Sequence, residues 1–94
     1  MIENRNFYIN GQWTAPAIAR DHHVIDPSTE EPCAIISLGD QADTDAAVAA
    51  ASAAFPAWAA TVPAERAAYV KAVLAQYETR VEEMARAISL EMGA

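Results

Sequence analysis

Cys33 and the pair His22-His23, flanked by Asp21 and Asp26, are the residues whose types invite chemistry. A cysteine thiolate is a nucleophile, and histidines beside carboxylates can hold a transition metal. Neither arrangement develops here. A reactive thiolate needs a base or a helix N-terminus close by, whereas Cys33 is surrounded in sequence by Pro32, Ala34 and isoleucines. It reads as a small strand hydrophobe. His22 and His23 are neighbours on an expected strand and point to opposite faces, so they cannot converge on one ion without a bulge, and no third histidine exists. Glu30-Glu31 and Glu82-Glu83 read as solvated surface. Gly11, Gly39 and Gly93 are the only glycines and lie far apart, which excludes a glycine-rich phosphate loop. By its residues alone the chain contains no catalytic constellation.

The elements that would have to position any such group fall into two textures, strands over 1–38 and helices over 39–94, an α+β pattern. In FYINGQW, residues 7–13, Asn10-Gly11 suits the two positive-φ positions of a type I′ turn between strand formers. The two-residue loop pairs Ile9 with Gln12 and Tyr8 with Trp13, placing both aromatic rings on one face, and that face is expected to need a covering partner. A short strand His22–Asp26, a turn at Asp26-Pro27-Ser28-Thr29 and a strand Pro32–Leu38 follow. These make a second strand pair. Isoleucine on both faces of the last strand predicts cover on both sides.

Asp40 as cap and Asp43 at the third helical position predict a helix from about Gln41 to Phe55, ended by Pro56. Its inward stripe would be Ala47, Ala50 or Ala51, Ala54 and Trp58, mostly methyl groups. Pro63 at a first-turn position opens the next helix, and Val70, Leu74, Tyr77, Val81, Met84 and Ile88 recur on one face until Gly93. Unbroken, that helix would be about 30 residues and roughly 45 Å long, beside a compact radius of gyration of about 12 Å for a chain of this size. It either kinks near Glu78-Thr79-Arg80 or belongs to a larger body.

Composition limits the rest. Ninety-four residues allow one small domain, and although 53% are apolar, 23 of these are alanine, so the core is expected to be thin. A net charge of −7 argues against nucleic acid or an anionic membrane surface as partner, since both require basic patches. The single cysteine excludes an internal disulfide and suits a reducing compartment. With no secretory pattern and no membrane span in the sequence, a cytoplasmic location is the expectation.

Taken in order, FYINGQW, VIDPSTEEP at 24–32, an apolar strand ending in Leu38-Gly39, DTDAAVAAASAAFPAW at 43–58, PAERAAYV at 63–70 and AISLEMGA at 87–94 resemble the amino-terminal segment of the NAD(P)-dependent aldehyde dehydrogenase family. The resemblance covers essentially the whole chain. It implies a parent of α/β fold with a Rossmann-like coenzyme domain, residues 1–94 forming the amino-terminal part of that domain and the catalytic and oligomerisation regions lying outside it. The implied reaction oxidises an aldehyde to a carboxylate with NAD or NADP through a cysteine thiohemiacetal and thioester. The family's catalytic cysteine, general-base glutamate and dinucleotide glycine motif fall beyond the equivalent of Ala94, so no catalytic or cofactor-binding residue is assigned here. The segment alone is expected to be inactive, without a nicotinamide cofactor of its own.

The resemblance also implies a monovalent cation, Na⁺ or K⁺, bound by the backbone carbonyl of Ile25, sometimes with that of Val24, and by a side chain outside this segment. Implied partners are the remainder of the parent enzyme and further copies in a homo-oligomer. One departure stands out: the family usually has Ser or Thr immediately before the proline matching Pro63, and here that place is Val62, which weakens the helix start by roughly 1 kcal/mol. The chain also stops where the family usually continues, as a truncated or separately expressed segment would. The alternative reading is a free-standing, non-enzymatic module that associates with itself through the Val70 to Ile88 stripe.

Overall fold

Asn10 and Gly11 both take positive φ, 55° and 74°, and the chain reverses between β2 (Phe7–Ile9) and β3 (Gln12–Thr14) in the expected register, Tyr8 opposite Trp13 and Ile9 opposite Gln12. A computed structural model describes residues 1–94. The covered face of this hairpin is the reverse of the expected one. Phe7 and Ile9 are half-buried against the start of α1 (Gln41–Ala59), while Tyr8 and Trp13 meet at a tilt of 55° in solvent with ring centroids 5.2 Å apart.

A second sheet has the order β1 (Ile2–Asn4), β5 (Glu31–Ser37), β4 (Asp21–Asp26). β4 and β5 form the expected antiparallel pair, joined by the Asp26 turn, in which Oδ1 of Asp26 accepts hydrogen bonds from the N–H and hydroxyl of Ser28. β1 was not evident from the sequence. It pairs parallel to β5, with Ile2 opposite Ala34, so three residues at the amino end find partners some thirty positions away. This central placement half-covers Cys33 through Ile36 on both faces, and Ser37 is the one buried residue.

The helical half differs from expectation at Pro56. α1 continues through that proline to Ala59 because only one turn remains, and the Ala60 N–H reaches the Pro56 carbonyl to complete it. Trp58 thereby faces forward onto Tyr69 of α2 (Pro63–Glu78), with centroids 5.4 Å apart, whereas Ala47, Ala50, Ala51 and Ala54 line a groove against the hairpin turn. The long apolar stripe is broken at Thr79-Arg80, where α2 ends and α3 (Val81–Met92) begins. Gly93 closes α3 at φ 71° against Pro27 and Ser28, so close that a Cβ there would lie 2.9 Å from the Ser28 nitrogen. α3 thus rests on β4. α2 spans the gap between its two neighbours.

No hydrophobic side chain is fully buried. The molecule measures 48 × 34 × 16 Å with a radius of gyration of 16.9 Å, against about 12 Å for a compact chain of this length. It is a plate with two open faces, whose elements are fixed by local bonds more than by a shared core.

Candidate functional site

Two polar knots do most of the positioning. At one edge the Arg5 guanidinium grips Asp21 with two parallel bonds, 2.8 and 3.2 Å, and lies 3.2 Å from Glu3, tying the tail of β1 across the sheet to the start of β4. The pairing with Asp21 and then Glu3 raises the Arg5 pKa, and Arg5 in turn lowers that of Asp21. Asp21 is therefore engaged as a sheet clasp, its carboxylate held by Arg5. Sequence spacing gave no sign of this pair, because Arg5 follows β1 and Asp21 opens β4, strands that are not adjacent in the sheet.

The second knot joins strands to helices. Asp40 caps α1 through the N–H groups of Ala42 and Asp43, and Asp43 reaches back to the Asp40 N–H at 3.1 Å, completing a capping box. The other oxygen of Asp43 accepts the Ala17 N–H at 2.9 Å. These two backbone donors, Ala17 first, hold the Asp43 carboxyl below the usual aspartate range. Nearby, Arg20 donates its N–H to Ser37 Oγ and its guanidinium to the Gly39 carbonyl, and its own carbonyl accepts from Leu38. The loop before β4 is thus fastened at both ends to the β5–α1 junction.

The candidate metal and nucleophile positions lie on the β4–β5 pair. His22 stands opposite Ile36 and His23 opposite Ile35, adjacent on an exposed strand, and no group of three His, Cys, Asp or Glu side chains converges anywhere in the chain. Cys33 occupies a β-bulge: Val24 pairs with Ala34 and Ile25 with Pro32, which leaves Cys33 as the extra residue. Its half-buried thiol donates to the Val24 carbonyl at 3.4 Å. No base stands beside it.

The bulge falls at Val24 and Ile25, the residues whose carbonyls the family resemblance assigns to a cation, and the Val24 carbonyl already accepts the Cys33 thiol. Pro32 has no N–H to offer its register partner Ile25, and β4 is an edge strand, so the ladder is thinned at this point. These features are compatible with carbonyl oxygens serving a cation, but two carbonyls are too few to replace the hydration shell of an alkali ion.

Nor do the helix N-termini suit a dinucleotide phosphate. α1 begins with Asp40 and Asp43, two carboxylates, the first of which takes the Ala42 and Asp43 N–H groups; α2 begins with Val62, Pro63 and Glu65; α3 has Glu82 and Glu83 in its first turn. No helix in the chain is long and apolar enough to cross a membrane.

The backbone plan is shared with known proteins. A model of the aldehyde dehydrogenase family matches residues 13–94. A 3-succinoylsemialdehyde-pyridine dehydrogenase from a Pseudomonas species is 43% identical over 94 residues, covering all of this chain and 20% of that protein. A crystal structure of an aldehyde dehydrogenase from Bartonella henselae superposes on 100% of this chain and 20% of its own with a TM-score of 0.97 and 52% identity. A mutant of aldehyde dehydrogenase C from Pseudomonas syringae, solved with NAD⁺ and octanal, covers 96% of this chain and 19% of its own, with a TM-score of 0.92 and 47% identity. The chain therefore spans about a fifth of the length of the relatives it matches. The chain belongs to the aldehyde dehydrogenase family, matching the amino-terminal part of its members.

Proposed function

We propose that this chain serves as the amino-terminal scaffold of an enzyme that oxidises an aldehyde to a carboxylate with NAD⁺ or NADP⁺ through a cysteine-bound thiohemiacetal and thioester. The observation that carries this reading is the agreement of its whole backbone with a fifth of an aldehyde dehydrogenase, at a TM-score of 0.97, although the chain buries no hydrophobic side chain of its own. Side chains so placed are expected to be covered by the rest of such an enzyme, as part of its coenzyme-binding domain.

The reacting groups belong to that remainder. Cys33 points into a backbone carbonyl, and the helix ends carry carboxylates, so this chain's residues fit neither the nucleophile nor the dinucleotide. What they supply is position. The Asp43 and Arg20 knot fixes the β5–α1 corner, the Trp58–Tyr69 contact sets α2 against α1, and α3 lies along β4. The carbonyls of Ile25 and Val24 would contribute to a Na⁺ or K⁺ site whose other oxygens come from outside the segment.

A second reading, self-association of the free segment, is favoured by the exposure of the α2–α3 stripe. Activity of a longer protein separates the two readings, and the isolated chain tests the scaffold role. A longer protein carrying this segment should release NADH from aldehydes, and the pure 94-residue chain should neither turn over nor bind NAD⁺ or NADP⁺ by calorimetry. Saturable micromolar binding or turnover by the chain alone would overturn the scaffold reading.

A further inference from the structure

Three asparagines occur in the chain, Asn4, Asn6 and Asn10, and only Asn10 precedes a glycine. We propose that Asn10 is a site of spontaneous deamidation, converting to aspartate and isoaspartate and so becoming a target for an isoaspartyl carboxyl methyltransferase. The reaction requires the next residue's backbone nitrogen to attack the asparagine side-chain carbon. A five-membered succinimide forms as the N–Cγ bond is made and ammonia leaves; water then opens the ring at either carbonyl. No oxidant or reductant takes part.

Both reacting groups are free. The Gly11 N–H lies outside the strands and donates to no backbone carbonyl, and an added Cβ at Gly11 would meet nothing within 4 Å, so the turn is open beside the Gly11 α-carbon. The Asn10 side chain is exposed and makes no hydrogen bond to protein. Asn4 and Asn6 are followed by Arg5 and Phe7, whose side chains crowd the attacking nitrogen, and Asn4 is held in the β1–β5 ladder.

The isoaspartyl product matters to the fold. It routes the main chain through the β-carbon and adds one backbone atom to a two-residue loop, and a two-residue type I′ loop is what sets the Tyr8–Trp13 register. The 5.2 Å ring contact between Tyr8 and Trp13 should be lost with it, and a carboxylate would be added to a chain already at −7.

The test is ageing of the purified protein at physiological temperature and mildly alkaline pH, native and in denaturant, with peptide mapping and isoaspartyl methyltransferase labelling. Conversion at Asn10 should run about tenfold or more ahead of Asn4 and Asn6 in the native protein, since glycine alone leaves the attacking nitrogen unhindered. An Asn10→Asp variant should lose the asparagine-derived mass change. Native protein in which Asn10 stays intact, while the denatured chain converts, would show that the turn geometry protects the site and would overturn the proposal. Equal rates at the three asparagines would do the same.

Discussion

Asp43, on the first turn of α1, accepts the backbone N–H of Ala17 at 2.9 Å across 26 residues of chain. One carboxylate therefore closes a helix and anchors a loop. Its pKa is depressed from the ordinary 3.8 by the Ala17 and Asp40 N–H groups, which favour the charged form. The folded value lies below the unfolded one, so the stabilisation is present above the ordinary value and fades as pH falls through the folded value. Asp43→Asn should lower the melting temperature at neutral pH, and the gap from the parent should narrow progressively below pH 3.8. Thermal melts of both proteins across acid pH give the comparison. Identical melting at neutral pH would show that the tie contributes nothing.

Val62 precedes Pro63 at the start of α2 and offers no side-chain cap, while Glu65 stands at the third helical position. Val62→Ser should complete a capping box with Glu65 and stabilise the protein by about 1 kcal/mol, provided nothing packs on the Val62 side chain, which is 61% exposed. Urea unfolding of the pair is the measurement. A loss of stability would mean that Val62 makes an apolar contact worth more than the cap.

In the longer enzyme proposed above, Cys33→Ser should leave turnover unchanged, because the thiol sits in a β-bulge and donates to the Val24 carbonyl. A serine hydroxyl can make the same bond, and the cost in stability should be ~1 kcal/mol or less. Steady-state rates for aldehyde oxidation decide it. A fall of several orders of magnitude in a folded protein would make Cys33 the nucleophile.

The parts of the fold that could be read in the sequence are those set by short-range chemistry. Asn10-Gly11 dictated a turn and with it a register; Asp40 and Asp43 dictated a cap; Gly93 dictated an end. What escaped is non-local. Ile2-Glu3-Asn4 carries too little pattern to mark a strand and becomes one only because β5 offers it an edge. Glu30 adopts φ 59°, a left-handed position that no glycine or asparagine advertised. The Arg5–Asp21 clasp and the Ala17–Asp43 tie depend on how strands are ordered. The hairpin's inward face could not be chosen either, since Phe7 and Ile9 are as apolar as Tyr8 and Trp13, and alternation says only that the pairs are opposed.

The stripe on α2 and α3 leads to the last prediction. Val70, Leu74, Tyr77, Val81, Met84 and Ile88 remain between 42% and 67% exposed, and the alanine face of α1 is turned to the hairpin instead of to them. At about 25 cal/mol per Å² of apolar surface, leaving two or three such side chains in water forgoes several kcal/mol, comparable to the ~5 kcal/mol that stabilises a small domain. The free segment should therefore associate with itself, covering in a second copy what an enzyme body would otherwise cover. Sedimentation equilibrium over a wide concentration range should show dimers or larger species, and Leu74→Asp or Val81→Asp should shift the distribution toward monomer. A chain that stays monomeric and unfolds cooperatively at high micromolar concentration would show that its strands and helices close over the stripe in solution, and self-association would then have no role.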